Sequence, residues 1–504
     1  MDSTIARIPD PATFGLWRYP QGLVLLGFWN AYQRTGDTRY RDYVKTWVDT
    51  YVDGGGNING TLTWLDNYLP GRLLLRLYKD TGLAKYKLAA DRIRARFNPG
   101  GQMRTSDGGL LHAQNTSSLG QLWADGTFMM LPFLVEYGQQ FGDAGANDEA
   151  ADQLLIYASH LRNPATGLIY HAYDEQGDVP WADPVLHRSP EVWCRATGWY
   201  GMALVTVLDA LPADHPKRAD LLGVLSGFVA ALAQHQDPAT GLWYQVVDKE
   251  TATGNWVETS CSAMHAFTVS RSVQQGYVDR GYSDVASRAF QGVLGKISLD
   301  TYGLTVLKGT SVGTMVGDLA YYLARGRPLN DRHGLGAFLI MYDQMGRPPS
   351  DSTQIWLEAE AAVRTGPLRL GSDSKASGGK YVDVTPGNNS TETVPTGGHA
   401  KWSFSVTAPG DYVVWGRVKA PTTADDSFWV RIDSGDWVAW DGIVPGSSWH
   451  WDDVHAGSSA AGTMRFSLAP GSHTLELAYR EDGTRIDRLL ITNATAYVPG
   501  GLGN

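Results

Sequence analysis

From residue 14 to about 345 the apolar positions recur at helical spacing, and short polar turns interrupt them. One turn type repeats. Ala31-Tyr-Gln-Arg-Thr-Gly-Asp-Thr-Arg-Tyr40 returns as Leu77-Tyr-Lys-Asp-Thr-Gly-Leu-Ala-Lys-Tyr86, with a degraded copy at Glu136-Tyr-Gly-Gln-Gln-Phe-Gly-Asp143. Each predicts an amphipathic helix ending near a Gly and a second helix starting after a polar turn. A second turn type lies between them. Asn163-Pro-Ala-Thr-Gly-Leu-Ile-Tyr170 returns as Asp237-Pro-Ala-Thr-Gly-Leu-Trp-Tyr244, where Pro and Gly stop a helix and lead into a short extended run. Repeated helical hairpins of roughly 45–60 residues predict a solenoid or a closed toroid. Six fit the available length, so an (α/α)6 barrel is expected. The aromatic-rich loops after the second turn type would line its mouth.

After Pro348-Pro-Ser-Asp-Ser-Thr the period changes from helical to alternating. Ala400–Val406, Asp411–Val418 and His473–Tyr479 read as strands, and the region as a whole as a β-sandwich. The expected division is a barrel over 1–348, a linker over 349–354, a sandwich over 355–496 and a frayed tail over 497–504. The fold class is mainly α, with the appended β domain resembling a jelly roll.

Composition narrows the chemistry. With 504 residues two domains are expected, and 43% hydrophobic with 19% charged residues describes an ordered soluble protein. The 18 Trp and 24 Tyr suit sugar rings as well as cores. A net charge of −10 with no basic run argues against nucleic acid or an anionic membrane as partner. An acidic protein that binds an anion needs a local basic pocket. No apolar run spans a bilayer, and the N-terminus lacks a signal-peptide pattern. The appended domain favours an extracellular or periplasmic location. Cys194 and Cys261 lie far apart in sequence and read as free thiols.

Candidate chemistry centres on Gln121-Leu-Trp-Ala-Asp125-Gly-Thr-Phe-Met-Met-Leu-Pro-Phe133, which sets one carboxylate in an apolar, aromatic run. Such a carboxyl is either a helix cap or a proton donor with a raised pKa. Asp66, in Thr63-Trp-Leu-Asp-Asn-Tyr-Leu-Pro-Gly-Arg72, carries the same ambiguity. His112, His171 and the cluster Trp193, Arg195 and Trp199 supply further polar groups among aromatics, Arg195 at a spacing that suits a guanidinium beside aromatic faces. Metal-enzyme, phosphate-loop and nucleophile-elbow motifs are absent from the helical region.

These segments occur in the order found in the unsaturated rhamnogalacturonyl hydrolases, glycoside hydrolase family 105, which residues 14–345 resemble. Glu258-Thr-Ser-Cys-Ser-Ala-Met264 and Asn330-Asp-Arg-His-Gly-Leu-Gly-Ala-Phe338 extend the match. The resemblance implies an (α/α)6 barrel and removal of a 4,5-unsaturated uronic acid from the non-reducing end of lyase-generated oligosaccharides. The double bond is hydrated: a carboxylic acid protonates C4, water adds at C5, and the hemiketal opens to release the sugar. It implies Asp125 as general acid and then base, Asp66 as second carboxylate, and His112, His171, Trp193, Arg195 and Trp199 as substrate-binding residues, with no cofactor. Cys194 and Thr127 depart from the family pattern. Unsaturated glucuronyl hydrolysis, a non-catalytic glycan-binding protein and a lyase on the same toroid are the alternatives.

The C-terminal region resembles carbohydrate-binding modules of families 35 and 6, through Trp356-Leu-Glu-Ala-Glu360 and Ile486-Asp-Arg-Leu-Leu-Ile-Thr492. The resemblance implies a structural Ca2+ on Glu358, Glu360 and Asp487. Trp449, Trp451 and Tyr381, taken as loop residues, are candidates for a sugar platform.

Overall fold

The computed structural model describes residues 1–98, 100–113, 120–346, 352–457, 463–495, 497–499 and 501–503. Part of the linker expected over 349–354 therefore lies outside the described residues. The chain divides into two compact units, Met1–Gln344 and Met345–Asn504.

The first unit is an (α/α)6 toroid. Its helices are α1 (Asp2–Arg7), α2 (Tyr19–Thr35), α3 (Thr38–Tyr51), α4 (Gly71–Thr81), α5 (Ala84–Ala95), α6 (Asp125–Phe141), α7 (Ala144–Leu161), α8 (Cys194–Ala210), α9 (Arg218–Gln234), α10 (Thr259–Gln274), α11 (Ser283–Leu294), α12 (Leu319–Leu323) and α13 (Arg332–Met345). Helices α2, α4, α6, α8 and α10 pack side by side as an inner layer, each backed by the helix that follows it. Helix α13 closes the ring: its Phe338 and Tyr342 rings meet, and Tyr342 stacks on Phe290 of α11. On its other side it approaches α2 so closely that a Cβ at Gly27 would sit 2.4 Å from Leu339, and one at Gly336 2.5 Å from Leu23. Glycine is required at this seam because no side chain fits. Helix α1 completes the outer layer, with Asp2 bonded to Tyr40 of α3 and Arg7 paired with Asp300.

Both sequence repeats are turns of this ring. Gly36, Gly82 and Gly142 each end an inner helix at φ near +70°, and their amides donate back to Tyr32, Tyr78 and Gly138. The Pro-Ala-Thr-Gly turns follow outer helices. Gly167 and Gly241 donate to Asn163 O and Asp237 O, both at 2.8 Å, and turn the chain inward toward the central cavity.

Cys194 and Cys261 are joined as a disulfide, which corrects the expectation of two free thiols. They are 67 residues apart but sit at the starts of adjacent inner helices, a proximity that linear spacing does not reveal.

The second unit is a two-sheet sandwich. One sheet runs in the order His450–Asp453, Gly410–Lys419, Arg485–Thr492, Lys380–Val384, Leu368–Ser372; the other runs Val438–Trp440, Phe428–Ile432, Gly471–Tyr479, His399–Val406, Val363–Arg364. His399 pairs with Ala478 and Val406 with Gly471. Along that strand alternate residues, Ala400, Trp402, Phe404 and Val406, enter the core, as the alternation requires. The described residues of the expected tail are packed: Tyr497 and Val498 are buried, and Gly501 O accepts from Arg417 Nε at 3.0 Å.

The disulfide closes a 67-residue loop, a constraint that corresponds to about 4 kcal/mol in chain-entropy terms. Full reduction, or the Cys194→Ala/Cys261→Ala double variant, lowers the melting temperature of the helical unit by several degrees. An unchanged calorimetric transition after verified reduction contradicts this role for the bond.

Candidate active site

A ladder of backbone bonds at one end of the toroid gathers the candidate residues. Leu65 N donates to His112 O, His112 N to Gln121 O and Ala124 N to His171 O, each at 2.9 Å. Strand Gln121–Trp123 pairs antiparallel with Ala172–Asp174. Four segments spread over more than a hundred residues thus lie edge to edge, and Asp66, His112, Asp125 and His171 come into one group. Neither Asp caps a helix. Asp125 is the first residue of α6, whose cap position is Ala124, and Asp66 sits in a 3-10 turn, Leu65–Asn67, ahead of α4. The capping role that would explain these residues without chemistry is therefore unfilled.

Aromatic rings hold the group. Trp123 stacks on His112 with centroids 4.5 Å apart and meets His171 edge-on at 5.6 Å. His171 rests on Trp193 at 4.5 Å, and Trp199 stacks on Phe128 at 5.3 Å. Above them opens a cavity of about 800 Å³, walled by Arg18, Trp64, Trp123, Met315, Tyr321 and Arg325, with Asp66, His112 and Asp125 on its lining. A space this size accommodates an oligosaccharide end.

The two carboxyls differ in charge state. Burial, then the neighbouring Asp125 charge, pushes Asp66 up from 3.8 to about 8, against a smaller pull from Arg18. Its side chain keeps 29% exposure and lines the cavity, so water there moderates the shift. Burial pushes Asp125 up as well, but the hydrogen bond and charge of His171, then the charges of His112 and Arg195, outweigh it and leave Asp125 below its ordinary value. His171 Nε2 lies 3.3 Å from Asp125 Oδ2, and His112 Nε2 3.6 Å from Asp66 Oδ1. Burial lowers His112 to about 4, so its ring is neutral at neutral pH. This reverses one expectation: the proton favours Asp66, because two neighbouring carboxyls do not both ionise there and the histidine favours the charge on Asp125.

Arg195, expected as a substrate contact, is turned elsewhere. It is 1% exposed and donates to Ser311 O and Val312 O, both at 2.6 Å, with Glu258 at 3.8 Å and the Trp193 ring at 4.8 Å. It fastens segment 311–325 from behind the cavity wall. Trp193 and Trp199 are fully buried, and their indole nitrogens lack partners, as do Arg195 Nε and His112 Nδ1. Asp125 Oδ2 and His171 Nε2 are likewise buried without hydrogen-bond partners, and unpartnered polar atoms of this kind mark a place built for a polar ligand.

Several residues here escaped sequence reasoning. Tyr19 Oη is 2.7 Å from His333 Nε2, and His333 Nδ1 is 2.6 Å from Asp331. Tyr322, Arg18 and Arg325 carry no local motif. Glu258 and His333 lie inside the quoted segments 258–264 and 330–338, which signalled them without a role.

In the second unit, Asp487 is fully buried, ion-paired with Arg417 and bonded by Ser377 N at 2.7 Å. Glu358 pairs with Arg488 at 2.9 Å and accepts from Ser377 Oγ at 3.1 Å. Glu358 Oε2 and Glu360 Oε2 are buried without partners. Glu358 and Glu360 thus retain free oxygens fit for a hard cation, whereas Arg417 already neutralises Asp487. The three platform candidates do not form one surface. Tyr381 and Trp451 lie in strands, not loops. Trp451 is buried against Trp356, and Trp449 pairs with Tyr381 at 5.8 Å beneath Arg417 and Lys419.

A helical toroid whose aromatic cavity holds two carboxyls, one raised and one lowered in pKa, fits a carbohydrate-active enzyme of the glycoside hydrolase class. The sequence profile of Glycosyl Hydrolase Family 88 matches residues 2–347. A family 105 glycoside hydrolase of C. acetobutylicum ATCC 824 is 32% identical, covering 68% of this chain and 97% of that one, with a TM-score of 0.65. The chain belongs to this family of glycoside hydrolases. It is also similar to the unsaturated rhamnogalacturonyl hydrolase YesR of Bacillus subtilis, with 27% identity over 300 residues, 58% of this chain and 81% of that protein. Protein Atu3128 of Agrobacterium fabrum is 34% identical over 228 residues, 42% of this chain and 97% of its own length.

Native Asp66 keeps its proton up to about pH 8, whereas an unfolded chain releases it near 3.8. Between these values the unfolded state binds fewer protons, so stability falls as pH rises through the window. Asp66→Asn is therefore expected to raise the melting temperature at pH 7–8 and to lose that advantage near pH 4. A variant destabilised equally at all pH values shows that Asp66 is ionised in the fold.

Proposed function

We propose that this protein removes a 4,5-unsaturated uronic acid from the non-reducing end of lyase-generated oligosaccharides of the rhamnogalacturonan type, by hydrating the C4=C5 bond. The observation that carries the reading is the Asp66/Asp125 pair, one carboxyl protonated and one ionised, in a single aromatic cavity. Vinyl ether hydration needs those two states together. The proton held by the pair on Asp66 goes to C4, a water oxygen bonds to C5, and the Asp125 carboxylate takes the proton that water gives up. One proton enters and one leaves, so the pair ends with the proton it started with. The C5 hemiketal then opens and releases the sugar. The rule relating carboxylate spacing to anomeric stereochemistry does not apply, because the anomeric carbon is not attacked. The similarity to YesR, whose name specifies unsaturated rhamnogalacturonyl substrates, favours that class over glucuronyl oligosaccharides.

The substrate carboxylate needs a cation. Arg195 is committed to segment 311–325, and Arg325 binds Gly313 O and lies over Tyr321 at 4.8 Å. Among the described residues, the Arg18 guanidinium lines the cavity without a hydrogen-bonded or ion-paired partner. We assign it to the uronate or to an acidic group beyond it, with His112 and Trp123 on the cavity lining against the unsaturated ring and the buried His171, Trp193 and Trp199 backing them. In the second unit, the orphaned oxygens of Glu358 and Glu360 support a Ca2+ site that would brace a carbohydrate-binding module.

Incubation with an unsaturated rhamnogalacturonan disaccharide is expected to remove the ultraviolet absorbance of the conjugated uronate. Asp125→Asn is expected to slow this by about 10²–10⁴-fold. Arg18→Met lowers kcat/KM by about 10–100-fold, the worth of a charge-assisted hydrogen bond, mostly through KM. The wild-type rate falls above about pH 8 as Asp66 loses its proton. A rise in absorbance instead identifies a lyase, and binding without turnover identifies a lectin-like protein.

A further inference from the structure

We propose that Tyr322 is a positioning residue that dictates which nitrogen of His171 presents a hydrogen to Asp125. The Tyr322 side chain is fully buried, and its hydroxyl oxygen lies 2.7 Å from His171 Nδ1. The same oxygen accepts from the Gly317 backbone N–H at 3.2 Å. A phenol that already accepts one bond turns its own hydrogen toward the nearest lone pair, and here that is His171 Nδ1. With its Nδ1 lone pair taken by the phenol, a singly protonated ring carries its hydrogen on Nε2, the atom 3.3 Å from Asp125 Oδ2. The opposite tautomer would set an imidazole lone pair against a carboxylate oxygen in a buried site. The groups that face His171 are Asp125 at the start of α6, Tyr322 in α12, the Trp193 ring ahead of α8, the Trp123 ring, and the His112 ring beyond it. Of these, only Tyr322 and Asp125 make polar contact with the ring.

This arrangement ties the carboxylate to the cavity wall. Gly317 and Tyr322 belong to segment 311–325, which is fixed from behind. Arg195 holds Ser311 O and Val312 O, Glu258 accepts from Ser311 N at 2.8 Å, and Gln245 donates to Tyr322 O at 3.2 Å. The front of the same segment, at Gly313, Thr314, Met315, Tyr321 and Arg325, lines the cavity. A ligand seated on that wall therefore bears on the 3.3 Å approach of His171 Nε2 to Asp125 Oδ2, through one phenol. The inference rests on the reading of Asp125 as a reacting carboxylate, but its structural core, the His171 tautomer, is measurable without turnover.

The test is a long-range ¹H–¹⁵N correlation spectrum of the histidine-labelled full-length protein at neutral pH. His171→Gln identifies the His171 signals. The wild type is expected to show His171 as the Nε2–H tautomer. Tyr322→Phe is expected to convert it to a mixture of tautomers, while Tyr321→Phe, which removes a neighbouring hydroxyl that accepts from Met315 N at 3.0 Å, leaves it unchanged. On unsaturated substrate, Tyr322→Phe lowers kcat by about tenfold with KM nearly constant. A wild-type His171 found as the Nδ1–H tautomer overturns the proposal. So does a folded Tyr322→Phe protein whose His171 tautomer is unaltered. If that variant does not fold, the wild-type spectrum alone decides the matter. Absence of turnover with every unsaturated substrate refutes the proposed activity and leaves the tautomer result standing.

Discussion

Two carboxyls in one poorly solvated cavity repel each other's charge, and the rest of the site answers that constraint. Water cannot screen the pair fully, so one proton stays. Its location is decided by what touches each oxygen. Asp125 has His171 at 3.3 Å and the Arg195 charge behind, whereas Asp66 has a neutral His112 at 3.6 Å and a single exposed arginine. An acid and a base of the same residue type are thus distinguished by their neighbours alone, as general acid–base chemistry at neutral pH requires.

The scaffold makes that distinction durable. His112, Trp123, His171 and Trp193 form a continuous series of ring contacts, and rings with little conformational freedom hold the imidazoles at low entropic cost. Behind them, Arg195, Glu258 and the disulfide between α8 and α10 tie the inner helices to segment 311–325. Much of the polar machinery therefore faces away from the cavity. Its task is to keep a wall in place, which explains why a residue as chemically apt as Arg195 is spent on two backbone carbonyls.

The second unit uses the same device of internal pairing. Arg417 and Arg488 answer Asp487 and Glu358, and the chain end lies packed against Arg417 and Trp451. Aromatic residues that look like a sugar-binding surface in the linear chain are in part core residues. A strand shows alternate residues to opposite faces, and a Trp in sequence does not announce which face it takes.

Periodicity, turn chemistry and the order of short motifs were readable directly. The Gly at residues 36, 82 and 142 and the Pro-Ala-Thr-Gly turns act within a few residues of themselves, so the hairpin count and the toroid followed from local rules. Asp66 and Asp125 were legible because a carboxyl in an aromatic run is anomalous wherever it lies. What remained hidden depends on distance through space. The Cys194–Cys261 bond, the hold of Arg195 on segment 311–325 and the contact of Tyr322 with His171 join residues 67 to 151 positions apart. The protonation of Asp66 rather than Asp125 likewise arises from burial and from neighbours that meet only when the ring closes. Local spacing can propose the reacting groups, but a pKa and a hydrogen-bond partner are properties of surroundings, and the surroundings exist only in the folded chain.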